Sequence, residues 1–318
     1  MNLCKLCPRR CMADRDNGQT GICGQTSEIK AARASLHMWE EPCISGEHGS
    51  GTVFFSGCAL HCVFCQNHTI ANGMGGKVIT IKRLSEIFIE LQEKNANNIN
   101  LVTAGHFVPQ VVEALQKAKQ NGLEIPVIYN SSGYEEVDTL RMLEGYVDIY
   151  LPDFKYVDSE ISAKYSHAPD YFEKAKSALK EMVRQTGEME FYDEATKLHT
   201  IGVREYQDYS EKGESYLMKK GVIVRHLLLP GCLEDSKRVI KYLIKEYGNS
   251  IFISIMNQYT PLPHVRKYKE LNRTVTEKEY EELLDYAIEL GIENGFLQEG
   301  DVAKESFIPE FDGRGIEI

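Results

Sequence analysis

The sequence predicts an α/β fold, a partial (β/α)6 barrel of parallel strands preceded by a small cysteine-rich module. Apolar runs alternate with amphipathic segments along most of the 318 residues, which indicates parallel βαβ units with right-handed crossovers. There are six such runs, too few to close an eight-stranded barrel, so we expect an open one. Eight of the nine cysteines lie within the first 65 residues, which indicates a metal-rich module at the N-terminus.

The six candidate strands are short and mostly apolar. They span residues 52–56, 99–104, 126–131, 148–153, 222–229 and 251–256. Helical periodicity between them predicts helices, among them one over residues 236–246 and a last one that opens at Thr276. Thr276 and Glu279 match the capping-box pattern, in which each side chain bonds the backbone N–H of the other residue. We therefore divide the chain into a module of residues 1–48 and a barrel with a C-terminal cap over residues 49–318.

Residues 188–220 interrupt this alternation of strands and helices. The segment is polar and rich in tyrosine, and apolar and polar residues alternate locally around Ile201 and Val203. Two interpretations are open: a β-hairpin that covers the barrel or contacts a partner, and a solvated loop.

Composition narrows the class of protein. Hydrophobic content of 42% and charged content of 26% are typical of a globular chain with a large core. The net charge of −11 argues against a nucleic-acid partner, because phosphate backbones attract basic surfaces. The sequence shows neither a membrane-spanning apolar run nor a signal peptide, so we expect a cytoplasmic protein without a membrane partner. In that compartment, cysteines favour metal ligation or redox chemistry over disulfides.

The most informative motif is the loop that holds Cys58, Cys62 and Cys65 at the spacing C-x3-C-x2-C, directly after a candidate strand. A closed four-iron cluster takes four cysteines, so three thiolates would leave one iron open to an outside ligand. An open coordination position is typical of a catalytic metal site. The alternatives are a three-cysteine zinc site and three core thiols.

A second set of cysteines lies at the N-terminus with the spacing C-x2-C-x3-C-x11-C. Its members are Cys4, Cys7, Cys11 and Cys23. Four thiolates within this span can complete a tetrahedral site. A zinc knuckle and a second iron–sulfur cluster both fit, since spacing alone rarely separates the two metals. We interpret Cys43 and Cys232 as ordinary buried thiols.

The histidines give weaker signals. Near-neutral pKa values make His61, His68, His106 and His226 available for acid–base chemistry, but do not show that they are used. His61 lies within the cysteine loop and His226 within a strand. Packing or a hydrogen bond in the core is the alternative for each.

The cysteine loop, with Phe64 directly before its last cysteine, resembles the cluster motif of the radical SAM superfamily. The whole chain is similar to a group in that superfamily that is related to pyruvate formate-lyase activating enzymes. The matching segments lie at residues 4–23, 39–46, 49–67, 130–134, 148–156, 225–231, 258–261 and 307–315. The resemblance implies a [4Fe–4S] cluster held by Cys58, Cys62 and Cys65, whose open iron binds S-adenosylmethionine (SAM).

The resemblance also implies roles for Phe64, which adjoins the cofactor, and for residues that end the second and third strands. Activating enzymes bind the amino group of SAM with a Gly-Gly-Glu segment after the second strand, and Gly105 lies at that position here. The glutamate itself is missing from this chain. Asn130 and Ser131 end the third strand, where activating enzymes contact the methionine carboxylate and the ribose.

Two further pairs end the fourth and sixth strands. Asp153 and Lys155 resemble an Asp-x-Lys pair close to the cofactor carboxylate of activating enzymes. A lysine there can neutralise the carboxylate and the aspartate can orient the lysine, whereas the alternative is an ordinary surface ion pair. Asn257 and Gln258 are expected to bind ribose hydroxyls or the adenine edge.

These observations favour a radical SAM enzyme. The resemblance implies flavodoxin or ferredoxin as electron donor and hydrogen abstraction from a substrate by a 5′-deoxyadenosyl radical. The substrate is either a glycyl residue of a partner enzyme or a small molecule or peptide. Two hypotheses of other classes stay open: a non-catalytic iron–sulfur electron carrier or redox sensor, and a zinc-stabilised interaction scaffold.

Overall fold

The computed structural model describes residues 3–297 and 309–317. The strands of the described residues are β1 (Lys30–His37), β2 (Ser50–Phe55), β3 (Lys77–Val78), β4 (Ile99–Val102), β5 (Val127–Ser131), β6 (Ile149–Pro152), β7 (Glu190–Asp193), β8 (Thr200–Ile201), β9 (Tyr216–Leu227), β10 (Phe252–Met256) and β11 (Gly295–Leu297). The α-helices are α1 (Pro42–Ser45), α2 (His68–Ala71), α3 (Ile81–Glu93), α4 (Val108–Gln120), α5 (Val137–Arg141), α6 (Ser159–Ser166), α7 (Tyr171–Thr186), α8 (Val203–Glu211), α9 (Leu233–Tyr247) and α10 (Glu277–Glu289). Among these helices none is long and apolar enough to cross a membrane.

One sheet runs through the molecule in the order β3-β1-β2-β4-β5-β6-β9-β10-β11. The strands from β2 to β11 in this order are parallel, and helices connect them. The predicted barrel is thus confirmed, since the six expected strands appear as β2, β4, β5, β6, β9 and β10. The short β11 adds a seventh parallel strand. The sequence did not reveal it, because it has only three residues and begins with a glycine.

The predicted helices are confirmed with small shifts of their ends. Helix α9 begins at Leu233, three residues before the predicted start at residue 236. At the start of α10 the Thr276 side chain accepts a hydrogen bond from the backbone N–H of Glu279, and the Glu279 carboxylate accepts from that of Thr276. The capping box therefore satisfies two backbone donors that a helix start leaves free.

Residues 188–220 form β7, β8, α8 and the first part of β9. Strand β7 pairs antiparallel with both β8 and β9, so β9 begins well before its predicted start at residue 222. The ring of Phe191 stacks on Tyr206 at 4.0 Å. This segment packs on Ile149 and other residues at the beginnings of the parallel strands, so it covers the amino-terminal end of the barrel. Of the two interpretations, the covering hairpin is confirmed.

The chain between β1 and β2 crosses the barrel interior. Strand β1 pairs antiparallel with β2, so residues 30–37 lie in the barrel sheet, although the sequence placed them in the module of residues 1–48. Cys43 and Ile44 of α1 are 1% exposed and pack with the residues that cover the amino-terminal end. Cys43 is therefore a core thiol, and burial raises its pKa.

The C-terminal segment of residues 309–317 lies along β1. The backbone N–H of Gly313 donates to the carbonyl of Ala32 at 3.0 Å, and the ring of Phe311 meets Phe54 edge-on at 5.4 Å. Of the matching segment over residues 307–315, Phe307 lies outside the described residues. In the rest of this segment, Pro309 lines a cavity beside the three-cysteine loop, which is described below.

Candidate active site

The three-cysteine loop directly follows β2, at the carboxyl end of the parallel sheet. Barrels of parallel strands place their chemistry at this end. Gly57 starts the loop with a φ of 90°, and a Cβ at this position would lie 2.6 Å from the carbonyl oxygen of Cys23. The turn into the loop therefore requires glycine, because any larger residue would be strained and would push the N-terminal cysteines away.

A cavity of about 380 Å³ opens beside this loop. It brings together seven of the predicted site residues: Cys62, Cys65, Phe64, Asn130, Asp153, Lys155 and Gln258. Cys58, the first cysteine of the loop, is not among its lining residues. Five other side chains complete its polar face: His37, Glu40, Gln66, Asn67 and Arg225. Its apolar face consists of Trp39, Phe54, Val102, Leu227, Met256 and Pro309. A second groove of about 790 Å³, next to Gly187 and Gly202, adjoins the covering segment and none of the predicted residues.

The thiols of the loop suit a cluster chemically. Burial raises the pKa of Cys62 to about 11, although Lys155 opposes the shift. Burial and then the neighbouring thiols of Cys62 and Cys58 raise the pKa of Cys65. Such thiols release their protons when a metal binds, so the donor set fits iron–sulfur ligation. Within residues 3–297 and 309–317, no group of three or more His, Cys, Asp or Glu side chains is placed to hold a metal ion.

Asp153 and Lys155 form a buried ion pair on the cavity wall. Nζ of Lys155 lies 2.5 Å from Oδ2 of Asp153, and the two side chains are 14% and 22% exposed. Burial alone would raise the pKa of Asp153, but Lys155 and Arg225 outweigh it and hold that pKa below its usual value. Burial likewise opposes the charge of Lys155, whose pKa Asp153 nevertheless raises. Both groups therefore stay charged at neutral pH, and their burial distinguishes them from the surface ion pair of the alternative interpretation.

Arg225 connects the strands that face the cavity. Its Nη2 donates to Oδ1 of Asn130 at 2.7 Å, and its Nε lies 3.3 Å from Oδ1 of Asp153. Its Nη1 lies 3.1 Å from Oε2 of Glu40, whose other oxygen accepts from Asn100 at 2.9 Å. Arg225 therefore helps Lys155 to hold the pKa of Asp153 below its usual value, whereas burial raises the pKa of Glu40 although Arg225 opposes that shift.

Three predicted cofactor residues lie apart from this wall. Gly105 lies in a 3-10 turn after β4, and a Cβ there would come within 2.8 Å of the Glu135 carboxylate. Ser131 points away from the cavity, where its hydroxyl accepts a hydrogen bond from the Gly133 backbone at 3.2 Å. Asn257 precedes the lining residue Gln258 but is not itself on the wall. Their roles toward a cofactor stay predictions.

Two of the histidines are held in the core. Nδ1 of His226 donates to the carbonyl of Phe154 at 2.7 Å, and Nε2 of His106 donates to the carbonyl of Ser56 at 2.7 Å. Burial lowers the pKa of each to about 4. Both are neutral at physiological pH, and His106 fixes the residue that precedes the cysteine loop.

The N-terminal cysteines gather beside that loop. A Cβ at Gly21 would lie 3.2 Å from Sγ of Cys11 and 3.4 Å from Sγ of Cys23, and Cys4 hydrogen-bonds Cys11. Burial raises the pKa of Cys7 to about 12. The four thiols are thus close neighbours, although they do not yet surround a common point.

Comparison with known proteins decides the family. A model of the radical SAM superfamily matches residues 52–187, the stretch that holds the cysteine loop and the strands from β2 to β6. Residues 52–187 are thus a radical SAM domain. Its cofactors are those of the superfamily, a [4Fe–4S] cluster and SAM.

Relatives of this radical SAM enzyme include activating enzymes, as the sequence motifs predicted. It is 27% identical to an uncharacterized protein of Methanocaldococcus jannaschii over 89% of this chain and 74% of that protein. It is 24% identical to the pyruvate formate-lyase-activating enzyme of Clostridium pasteurianum over 69% of this chain and 79% of that enzyme.

Two solved structures align with parts of this chain. Streptococcus suis SuiB bound to S-adenosylmethionine gives a TM-score of 0.45 at 10% identity over 77% of this chain. The radical SAM enzyme described here covers 49% of SuiB, about half its length. A domain of a pyruvate-formate lyase-activating enzyme from Bacteroides vulgatus gives a TM-score of 0.36 at 12% identity, over 60% of this chain and 91% of that domain.

Sequence reasoning missed the part of the site that Arg225 and Glu40 provide. A signal was present, because Arg225 is a charged residue in the middle of the apolar run of residues 222–229. Charged residues in buried strands are rare unless they are paired. Its partner could not be read from the sequence, since Glu40 lies 185 positions away. In this radical SAM enzyme the pair lies on the cavity wall, beneath the predicted cofactor residues.

Proposed function

We propose that Cys58, Cys62 and Cys65 hold the [4Fe–4S] cluster and that SAM binds in the adjoining cavity. One observation carries this proposal: two of the three thiols share the cavity with the buried ion pair of Lys155 and Asp153. A cation beside an open cluster is what a carboxylate-bearing ligand requires. The carboxyl-end position in a parallel barrel adds independent support.

Different lining residues then bind different parts of SAM. Lys155 neutralises the SAM carboxylate, and Asp153 holds the lysine in place while Arg225 keeps the aspartate ionised. Asn130 and Gln258 offer amide groups to the ribose and the adenine edge. Phe64 lies below the ammonium of Lys155, 5.9 Å from its ring centroid, and shields that cation from water.

The reaction is the reductive cleavage of SAM followed by hydrogen abstraction. A [4Fe–4S] cluster held by Cys58, Cys62 and Cys65 would supply the electron for reductive cleavage of SAM to methionine and a 5′-deoxyadenosyl radical, and that radical would take a hydrogen atom from the substrate. Flavodoxin or ferredoxin in the cytoplasm supplies the electron. The buried apolar lining residues Phe54, Val102 and Met256 keep water away from this radical.

The substrate we propose is a glycyl residue of a partner enzyme, as in activating enzymes. The similarity to the activating enzyme of C. pasteurianum over 69% of this chain supports this choice. Radical modification of a small molecule or peptide is the second candidate. It is favoured by the modest cavity of about 380 Å³, which Pro309 narrows further from the C-terminal segment.

Deuterium transfer separates the two substrates. A glycyl radical enzyme from the same organism is labelled with dideuterated glycine and incubated with reduced enzyme and SAM. Deuterium in the 5′-deoxyadenosine, absent when the target glycine is replaced by alanine, supports the activase function. Transfer only from deuterated metabolites or peptides would contradict it and support the second candidate.

We further propose that Cys4, Cys7, Cys11 and Cys23 bind a metal of their own. The closeness of Cys11 and Cys23 across Gly21 supports the assignment. Elemental analysis of the purified Cys58→Ala variant decides between the two metals. One zinc per chain indicates a structural knuckle, iron with sulfide indicates a second cluster, and neither metal would contradict the proposal.

A further inference from the structure

Arg9 links the two sets of cysteines. It lies in the turn between Cys7 and Cys11, and its guanidinium extends away from them to the loop of the radical site. There Nε donates to the carbonyl of Ala59 at 2.8 Å, and Nη2 donates to that of Leu60 at 3.4 Å. Both acceptors lie between the first two cysteines of the loop. Arg9 thus binds the backbone whose conformation sets the spacing of those thiols.

The same guanidinium holds the end of helix α6. Nη2 donates to the carbonyl of Ser166 at 3.1 Å, and Nη1 donates to that of His167 at 2.5 Å. The Ser166 hydroxyl donates in turn to Sγ of Cys62 at 3.0 Å. A planar group with five donors can serve four carbonyls at once, which a lysine cannot. The guanidinium also lies over the ring of Tyr134, 5.2 Å from its centroid, so its orientation is fixed.

The turn that presents Arg9 is closed by the N-terminal cysteines themselves. The backbone N–H of Arg10 donates to the carbonyl of Cys7 at 3.0 Å, and that of Met12 donates to the carbonyl of Cys4 at 3.1 Å. Arg10 and Met12 both have positive φ angles, 39° and 56°, which non-glycine residues rarely adopt. Such a turn persists when its surroundings hold it, and the carbonyls that close this one belong to two of the four cysteines.

A second connection reaches the other end of the loop. Nη1 of Arg15 lies 3.8 Å from Sγ of Cys4 and donates to the carbonyl of His106 at 2.6 Å. The ring of His106 donates to the carbonyl of Ser56, two residues before Cys58. Both sides of the loop are therefore tied to the N-terminal module, and Arg9 holds the part between the ligands.

We propose that Arg9 is a positioning residue of the radical site, which makes the arrangement of Cys58, Cys62 and Cys65 depend on the metal state of the N-terminal cysteines. The inference rests on the proposed function for the identity of the cluster. When a metal occupies the N-terminal thiols, the turn is fixed, Arg9 holds the loop against α6, and the three thiols keep the arrangement that binds the cluster. When that metal is lost, the turn changes its conformation and the loop is no longer held by Arg9.

The first test uses the full-length chain before the radical-site cluster is loaded, so it does not depend on SAM chemistry. The rate at which iodoacetamide alkylates Cys62 is followed by peptide mass spectrometry. We expect Arg9→Gln to raise this rate roughly tenfold. Without the hydrogen bonds of the Arg9 guanidinium, the conformer in which the loop is open and Cys62 is accessible becomes more populated. Arg10→Gln is the matched control, since the Arg10 side chain pairs with Glu136 at 2.9 Å and not with the loop. This variant should react like the wild type.

A double-mutant cycle tests the link to the N-terminal metal. Cys11→Ser should raise the alkylation rate of Cys62 as Arg9→Gln does, and the double variant should add little to either. Independent, multiplicative effects, or an unchanged rate in Arg9→Gln, would overturn the proposal. Arg9→Lys, which keeps the charge with fewer donors, should give an intermediate rate and guards against a variant that fails to fold.

The loaded enzyme gives a second readout that a general loss of stability would not produce. Reduced Arg9→Gln should show a broadened EPR signal whose shift on SAM addition is smaller, at an unchanged melting temperature. A wild-type signal in Arg9→Gln would overturn the proposal. If the wild type itself binds no cluster at Cys58, Cys62 and Cys65, the proposed function fails, whereas the alkylation result still decides whether Arg9 couples the two modules.

Discussion

The hydroxyl of Ser166 donates a hydrogen bond to Sγ of Cys62 at 3.0 Å. Ser166 is buried at the end of α6, and its hydroxyl also contacts that of Tyr156 at 2.8 Å. Hydrogen bonds to ligand sulfurs stabilise the reduced state of an iron–sulfur cluster, because they offset its extra negative charge. The contact therefore bears on how easily the proposed cluster accepts an electron.

Ser166→Ala should make the cluster harder to reduce. Losing one hydrogen bond of about 1 kcal/mol corresponds to a midpoint potential lower by roughly 40 mV for one electron. The potential is measured by EPR-monitored redox titration of the reconstituted enzyme. Ser177→Ala is the control, since Ser177 is exposed on α7 and its hydroxyl donates to the carbonyl of Glu173 in the same helix. An unchanged or higher potential in Ser166→Ala would contradict the assignment of Cys62 as a ligand.

Lys155→Met should weaken SAM binding without removing the cluster. The substitution removes the cation proposed to neutralise the SAM carboxylate, an interaction worth about 2 kcal/mol, so Kd should rise roughly 30-fold. Anaerobic calorimetry on the loaded enzyme measures Kd, and iron analysis confirms equal loading. Lys241→Met on the exposed face of α9 should bind SAM like the wild type. Equal affinities in the two variants would show that Lys155 is a structural ion pair.

Arg225→Leu should destabilise the barrel because it leaves buried carboxylates without their cationic partner. Asp153 and Glu40 lose their shared cation, and removing one partner of a buried ion pair costs about 3–5 kcal/mol. Urea unfolding at pH 8 should show this loss, and a smaller one at pH 5.5, where the carboxylates can protonate. Arg204→Leu, at an exposed position of α8, is the control. A loss that is the same at both pH values would argue that packing and not charge explains it.

Glu135 should make stability fall as the pH rises. Burial raises its pKa to about 7 in the folded chain, so the fold favours the neutral acid. This contribution is fully present below the unfolded pKa of about 4.5 and is lost as the pH rises through 7, a difference of roughly 3 kcal/mol. Glu135→Gln removes the titration and keeps a donor for hydrogen bonding. The melting temperatures of the wild type and of Glu135→Gln, measured between pH 5 and 8, should converge at the acid end. Parallel pH profiles of the two proteins would refute the raised pKa of Glu135.

The parts of the fold that the sequence revealed are those with a continuous local pattern. Strands such as β6, buried along all four residues, read as apolar runs with clear ends. Strand β1 escaped notice because Lys30–His37 mixes small, polar and charged residues, and its identity as a strand comes from pairing with β2. The boundary proposed at residue 48 missed this pairing for the same reason.

The candidate site divides in the same way. Cys58, Cys62 and Cys65 form a local motif that requires no tertiary structure to recognise. Arg9 and its acceptors form no local motif, since the guanidinium donates to carbonyls that lie 50 and 157 positions away in the sequence. Backbone acceptors carry no sequence signature, because every residue has a carbonyl. Contacts of this kind become visible once the fold has brought the segments together.

The most direct test of the account is the formation of 5′-deoxyadenosine by the anaerobically reconstituted enzyme with dithionite and SAM. The wild type should form it, and Cys58→Ala should form none. Cys43→Ala is the matched control, since its thiol is buried near the amino-terminal end of the barrel, away from the cavity. It should stay active. Equal formation by Cys58→Ala, or none by a wild type that carries an intact, reducible cluster, would contradict radical SAM chemistry at this site.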